Sequence, residues 1–172
     1  TLNSNFISSF AEDDAGGTWI GTEGGGLNYL DPESDLITHY TNDPTDPSSL
    51  SNNYVIDVLA DSKGRLWSGN WNGGLNLLRK GSANFEHFTF HSDSSNGPAN
   101  NDIIALCEDQ KGRIWLSCVG MGLDCLDPES LSFTHYSSME KEDHYIPTKL
   151  ARSILEDSQG RIWLGSDSDG LI

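Results

Sequence analysis

The chain has 172 residues, enough for one ordinary domain with a buried core. It carries 10 lysines and arginines against 26 aspartates and glutamates. The resulting net charge of −16 argues against a nucleic-acid partner, because phosphate binding needs clustered positive charge. No apolar run approaches the roughly 18 residues that a membrane span requires, so we expect no membrane contact from this segment.

One nine-residue pattern organises the sequence. Each copy begins at an aspartate, contains a glycine turn and then reaches a tryptophan. The copies lie at 13–21, 61–69, 109–117 and 157–165, and their tryptophans are 48 residues apart. Such regular spacing identifies a repeat protein.

Four short strands are predicted in each complete repeat, because segments rich in β-branched, aliphatic or aromatic residues alternate with Gly, Asn and Asp turns. In chain order the predicted strands are 6–11, 17–21, 26–30, 36–40, 53–60, 65–69, 75–78, 85–90, 102–108, 113–117, 122–126, 133–136, 150–156 and 161–165. No stretch shows sustained helical periodicity. Four strands per repeat favour propeller blades over a helical solenoid.

The predicted fold is an all-β partial β-propeller, with a single domain over 1–172. About three and a half four-stranded blades are expected from the 48-residue repeat. We assign them to 1–48, 49–96 and 97–144, with an incomplete blade at 145–172. The repeated tryptophans should pack between neighbouring blades.

The histidines and cysteines, which often form metal or catalytic sites, are interpreted as structural residues. One strand position carries a histidine in three repeats, and successive blades would fan these residues apart rather than gather them around a metal: His39, His87 and His135. The cysteines are odd in number and form no CxxC pair, which indicates core residues rather than a zinc site or a disulfide framework: Cys107, Cys118 and Cys125. We expect no cofactor and no metal, and the chain contains no recognised catalytic signature.

Strand order indicates which face could bind a ligand. In an up-and-down blade, the turns between the second and third strands share one face of the disc with the crossovers between blades. These turns differ in every repeat, at 22–25, 70–73, 118–121 and 166–169, and the crossovers also differ. Repeated positions carry the fold, so the unrepeated positions on this face are free to carry function.

Trp71 is the strongest candidate for a ligand contact, because no other repeat has a tryptophan in this turn. Asn70 and Asn72 flank it, and a planar apolar face beside two amides suits a sugar ring. The alternative is a turn tryptophan that packs on its neighbour. Glu23 and Tyr145, at unrepeated positions on the same face, complete the predicted binding surface.

The pattern D-x-x-G-x-[LI]-W-x-G, followed by Gly-Leu and an Asp-Pro step, resembles the two-component regulator propeller repeat over the whole chain. Asp-Pro stands at 31–32 and 127–128, whereas 79–80 is Arg-Lys and Thr18 precedes the first tryptophan. The resemblance implies the periplasmic sensor region of a bacterial hybrid two-component system, typically seven-bladed. Many such sensors detect oligosaccharides, and the family pattern contains no fixed ligand residues.

The resemblance implies binding rather than catalysis, and two alternatives stay open. One is a protein-interaction propeller without a small ligand. The other is a glycan-processing enzyme, because segment 14–19 resembles an Asp-box of sialidase-like propellers. However, the other copies place the aspartate one residue earlier, and only Arg79 and Arg152 lie outside the repeated arginine position.

The expected partners are an oligosaccharide, the remainder of the propeller and sensor chain, and a second copy. Three and a half blades leave one face of the first blade and one face of the last blade uncovered, which favours association. Two copies cannot simply complete a seven-bladed ring, because neither supplies the outer strands of the unfinished blade. We therefore expect face-to-face pairing of end blades or strand addition at the unfinished blade.

Overall fold

Fourteen β-strands form the regular secondary structure of residues 1–92, 96–137 and 144–172, the part of the chain that the computed structural model describes. Their bounds are β1 (Ile7–Glu12), β2 (Thr18–Thr22), β3 (Gly26–Leu30), β4 (Ile37–Tyr40), β5 (Val55–Ala60), β6 (Leu66–Asn70), β7 (Gly74–Leu78), β8 (Phe85–Phe88), β9 (Ile103–Glu108), β10 (Ile114–Cys118), β11 (Gly122–Asp127), β12 (Ser132–Ser137), β13 (Ala151–Glu156) and β14 (Ile162–Ser166). These bounds follow the predicted strands closely. The largest differences are that β5 begins two residues later and β8 ends two residues earlier than predicted.

The strands form three complete blades and one unfinished blade. Each complete blade is an antiparallel sheet of four strands in chain order, β1 to β4, β5 to β8 and β9 to β12, and β13 pairs with β14. At the unfinished blade, Leu164 exchanges backbone hydrogen bonds of 2.8 and 3.0 Å with Ile172, so a third strand is beginning there. The prediction of an all-β partial propeller is confirmed.

The repeated Asp, Arg and Trp residues form one bonded unit at the turn between the first and second strands. The Oδ1 atom of Asp61 accepts the backbone N–H groups of Lys63 and Arg65, at 3.0 and 2.9 Å. Its Oδ2 atom accepts Arg65 Nε at 2.6 Å and Trp67 Nε1 at 2.8 Å, and the guanidinium lies 5.7 Å from the indole centroid. The motif repeats because a single carboxylate closes the turn and fixes both side chains.

The first repeat builds the same turn on Asp13. Its N–H donates to the carbonyl of Gly17 at 2.9 Å, and its Oδ1 atom accepts the N–H groups of Ala15 and Gly17. Asp13 therefore occupies the place of Asp61, and Asp14 lies one residue beyond it. Glycine stands at position 17, where the other repeats have arginine.

The tryptophans of the second and third blades are buried between sheets. Trp67 is 0 % exposed and Trp115 is 6 % exposed, as predicted. Trp67 belongs to a core cluster with Leu75 and Leu77 of its own blade and with Ile103 and Leu116 of the next blade. Each blade therefore buries its tryptophan against the blade that follows, and this apolar contact holds the array together.

The innermost strands are joined through a buried carboxylate. Asp57 lies in β5 at a register irregularity between Val55 and Asp57. Its Oδ1 atom accepts the hydroxyl of Ser9 in β1 at 2.6 Å, and its Oδ2 atom accepts the backbone N–H of Leu106 in β9 at 2.7 Å. Asp57 thus bonds three blades to one another.

The repeated histidines contact their own sheets or a nearby crossover. The Nδ1 atoms of His39 and His135 lie 2.6 and 2.7 Å from side-chain oxygens of Asn28 and Asp124 on the neighbouring strand. His87 instead contacts the carbonyl of Ser49.

Among the described residues, no group of His, Cys, Asp and Glu side chains has an arrangement that could hold a metal ion. No helix in the same part of the chain is long and apolar enough to cross a membrane.

Candidate functional site

One backbone hydrogen bond recurs in all four repeats and forms a rim. In each repeat, the N–H of a residue after the second strand donates to the carbonyl of the crossover residue that precedes the first strand. The four bonds are Glu23 to Phe6, Trp71 to Tyr54, Val119 to Asp102 and Asp167 to Leu150, at 2.9 to 3.1 Å. The unrepeated turns and crossovers therefore meet on one face, as the strand order predicts.

A cavity of about 440 Å³ opens on this face beside the innermost strands. Three positions of the repeat supply its lining: the rim turn, the end of the crossover and the second residue of the innermost strand. The lining residues are Glu23, Trp71, Tyr54, Ile56, Ile104 and Arg152. The rim-turn and crossover positions hold a different residue in each blade, and the inner-strand position holds serine, isoleucine twice and arginine, so the lining changes while the backbone repeats.

Two aromatic rings stand at this cavity with much of their surface accessible. Tyr54 is 52 % exposed and Trp71 is 46 % exposed, which leaves apolar ring surface available for a ligand. Gly24, with a φ of 81°, lies beside the Tyr54 ring, because a Cβ atom there would be 3.8 Å from it. The turn of the first blade therefore comes close to the second blade at this point.

The lining combines two charged side chains, Glu23 and Arg152, with apolar ones. Glu23 supplies a carboxylate, and Ile56 and Ile104 are partly buried. Arg152 Nε donates to Asp167 Oδ1 at 2.6 Å, and both side chains are about half exposed or more. An exposed pair of this kind contributes little free energy, so the guanidinium can turn to a ligand at small cost.

The structure brings together two of the five predicted site residues. Trp71 and Glu23 line the cavity. Asn72 lies beside it at a turn position with φ 59°, and its N–H donates to Asp102 Oδ1 at 2.7 Å. Tyr145 is 47 % exposed in the crossover to the last blade and is not in the lining.

Asn70 requires a correction, because it is fully buried rather than presented to a ligand. Its Nδ2 atom donates to the carbonyl of Asn52 at 2.6 Å, and its Oδ1 atom accepts from Ser68 and Asn76 at 3.0 Å. The side chain points into the blade because Asn70 is the last residue of β6, not part of the open turn.

Sequence reasoning missed four lining residues, Tyr54, Ile56, Ile104 and Arg152. All four lie in innermost strands or just before one, and the residue types of Tyr54, Ile56 and Ile104 suggest core packing. The available signal was a comparison of equivalent positions: the second residue of the innermost strand is Ser8, Ile56, Ile104 and Arg152, although several neighbouring strand positions stay apolar. An arginine at a position shared with isoleucine indicates an accessible site.

A Cys–Asp–His contact in the third blade has the composition of a catalytic group but not its properties. Cys118 Sγ donates to Asp124 Oδ2 at 3.1 Å, and His135 Nδ1 lies 2.7 Å from Asp124 Oδ1. The aspartate therefore separates the thiol from the imidazole. Burial raises the pKa of Cys118 well above its ordinary value, which disfavours a thiolate. The contact supports the core.

Comparisons with solved structures show the same architecture. The extracellular domain of a protein described as a hybrid two component system of B. thetaiotaomicron matches 98 % of this chain at 21 % identity with a TM-score of 0.85. The extracellular domain of a one component system of the same organism matches 99 % at 23 % identity with a TM-score of 0.75. This chain covers 23 % and 24 % of those two chains.

An enzyme shares the fold as well. Virginiamycin B lyase of Staphylococcus aureus matches 98 % of this chain at 14 % identity with a TM-score of 0.70, and this chain covers 52 % of the lyase. Identities this low show the fold alone. No curated protein matches the sequence.

The family comparison addresses the repeat itself. The family described as "Two component regulator propeller" matches residues 1–24, 49–72, 97–120 and 145–168. Each match holds the first two strands of a blade and their turn, and together the matches cover more than half of the chain. The chain belongs to the two component regulator propeller family.

Proposed function

We propose that this chain is part of a periplasmic sensor region of a two-component signalling protein and that it binds an oligosaccharide without transforming it. The binding site is the cavity lined by Trp71, Tyr54, Glu23 and Arg152. Family membership supports the signalling role, and the two exposed aromatic rings carry the choice of ligand.

The lining suits a neutral sugar chain. Aromatic faces pack against the C–H surface of a sugar ring, and the charged side chains of the lining can accept from and donate to its hydroxyl groups. One carboxylate and one guanidinium balance in charge. A volume of about 440 Å³ falls within the range of small-molecule sites and leaves room for more than one ring.

Signalling follows if the ligand favours one arrangement of the sensor over another, because a ligand shifts an equilibrium only through differential affinity. The six lining side chains come from the first, second, third and unfinished blades. A sugar held there would resist changes in the angles between those blades.

Binding of a protein at the same rim is the alternative function, favoured by the open form of the cavity.

Calorimetry with a panel of neutral oligosaccharides tests the proposal. We expect Trp71→Ala to weaken the binding of a responsive oligosaccharide by roughly tenfold or more, which corresponds to about 1.4 kcal/mol. Tyr145→Ala is a matched control, because this side chain is equally exposed on a neighbouring crossover but does not line the cavity. Unchanged affinity in Trp71→Ala, or an equal loss in both variants, would remove the cavity from consideration.

A further inference from the structure

The blade junctions differ in one side chain, the arginine of the repeat. At the junction of the second and third blades, Arg65 bonds Asp61 Oδ2 and lies over the Trp67 ring. From there its guanidinium crosses to the third blade. Arg65 Nη1 donates to the carbonyl of Pro128 at 3.4 Å and to Glu129 Oε1 at 2.9 Å. Arg65 therefore fills the space between the two sheets.

The first junction keeps the surroundings of this arginine but not the arginine. Asp13 and Trp19 stand at the positions of Asp61 and Trp67, and Gly17 replaces the arginine. On the second blade, Lys80 and Gly81 stand at the positions of Pro128 and Glu129. A cavity of about 250 Å³ opens here, lined by Asp13, Trp19, Lys80 and Gly81 among others.

The carboxylate that an arginine would neutralise has no cationic partner among the described residues of this junction. Trp19 is 8 % exposed, and within the described ranges its indole N–H donates to no aspartate, whereas the other three repeated tryptophans donate to theirs. The indole N–H is itself a donor, so only the ring face of Trp19 could contact a guanidinium. Asp13 has no salt bridge to any described residue. The nearby cations Lys80 and Arg79 pair instead with Asp14 and Glu86.

Tyr29 occupies only part of the space that corresponds to the one filled by Arg65 at the next junction. A Cβ atom built on Gly17 would overlap the Tyr29 hydroxyl, so the tyrosine takes the place of the arginine stem. Its ring lies 4.5 Å from the Trp19 ring. Burial and the neighbouring Asp13 carboxylate raise the pKa of the Tyr29 hydroxyl. The outer part of the space, where the arginine head would lie, stays open to solvent beside Lys80 and Gly81.

We propose that this cavity binds a guanidinium group supplied from outside the chain, either as free arginine or as an arginine side chain of a peptide. The group donates to the Asp13 carboxylate, stacks on Trp19 and donates to the Lys80 carbonyl. These match three of the four contacts that Arg65 makes at the next junction, where the fourth is to Glu129. Planar donors and a delocalised charge suit this combination of carboxylate, aromatic face and carbonyl. The site lies at the first turn of the blade and is independent of the oligosaccharide cavity.

Titration of the 172-residue chain with methylguanidinium, L-arginine and a Gly-Arg-Gly peptide, followed by NMR, tests the proposal. We expect saturable shifts of the Trp19 indole and Tyr29 signals, with methylammonium at least about tenfold weaker because it cannot stack. Tighter binding of the peptide than of free arginine would identify a peptide source, and the reverse order would identify the free amino acid. Absence of saturable shifts with all three guanidinium probes would overturn the proposal.

Three variants locate the binding. Asp13→Asn keeps the turn acceptor but removes the charge, and should weaken methylguanidinium binding at least about tenfold. Glu33→Gln, at an exposed carboxylate outside the lining, should leave the affinity unchanged. Trp71→Ala should also leave it unchanged, which separates this result from failure of the oligosaccharide proposal. Equal effects of Asp13→Asn and Glu33→Gln would show general electrostatics rather than a site.

A rebuilt junction supplies the final test. Gly17→Arg combined with Tyr29→Leu restores the residues that the second blade has at positions 65 and 77. The tethered arginine should then occupy the cavity, abolish methylguanidinium binding and raise the melting temperature. Methylguanidinium binding that survives in the rebuilt variant would place the site elsewhere.

Discussion

At the scale of single residues, Asp57 and the repeated turn aspartate Asp61 have pKa values shifted in opposite directions. Burial raises the pKa of Asp57, and the hydrogen bonds from Ser9 and Leu106 only partly offset this effect. Burial also acts on Asp61, but bonds from Trp67 and Arg65 outweigh it, so the pKa of Asp61 is lowered. The turn aspartate is stabilised as an anion, whereas the inner-strand aspartate is strained by its charge.

Asp57→Asn should therefore cost less than Asp57→Ala at pH 7, because the amide can still accept from Leu106 and donate to Ser9, although it loses the bond from the Val58 N–H. Asp57→Ala should cost about 1–3 kcal/mol, because it leaves buried polar groups unpaired. Because the pKa of Asp57 is raised in the folded state, its contribution to the free energy of unfolding is fully present below the ordinary pKa of 3.8. That contribution is lost as the pH rises through the folded pKa. The free energy of unfolding of Asp57→Asn should accordingly increase relative to that of the native protein as the pH rises.

Urea unfolding of the three proteins at several pH values checks this expectation. A difference between Asp57→Asn and the native chain that stays constant from acid to neutral pH would show that Asp57 is not strained by its charge.

At the scale of elements, the turn unit links each blade to the next through its tryptophan. Trp67→Ala should cost about 3–5 kcal/mol, as for other large truncations in a core. Trp163 makes the same bond to Asp157, at 2.9 Å, but lies partly exposed on the unfinished blade. Trp163→Ala should cost less than half as much, since fewer packed atoms are lost. Denaturant titration compares them, and equal losses would argue against packing between blades as the source of stability.

Comparison of equivalent positions explains what the sequence could predict. Strand number, order and the buried tryptophans follow from a repeat that is read four times, so these predictions are confirmed. The rim face and the placement of Trp71 and Glu23 follow from the same comparison. Arg152 and Tyr54 were not identified as lining residues, because alternation of residue types within one strand does not reveal which innermost residues face the axis. Asn70 was misplaced because one residue separates the strand end from the open turn.

At the scale of the whole molecule, the two end faces are the unusual surfaces. Phe10 is 62 % exposed, whereas Val58 and Leu106 at the same repeat position are 5 % and 9 % exposed. On the opposite end, Leu155 is 63 % exposed. The inner blades show that these positions are built to be covered by a neighbouring sheet. Exposed apolar surface of this kind favours association.

We therefore expect the 172-residue chain to self-associate, and light scattering at increasing concentration measures this. Phe10→Ser should lower the apparent mass at a given concentration. Phe90→Ser is the matched control, because Phe90 is 45 % exposed but follows the outer strand of the second blade rather than lying on an end face. A stable monomer at high concentration would contradict the expectation.

The rim hydrogen bond has a consequence for how propellers built from this repeat can diversify. Each repeat delivers three side chains to the same place through a backbone contact that does not depend on their identity. Duplication or exchange of a single repeat would therefore add three new lining side chains to the binding surface while the backbone contacts of the neighbouring repeats stay the same. Specificity in this architecture can evolve by shuffling whole modules, and a combinatorial library restricted to three codons per module would sample new ligands on an unchanged scaffold.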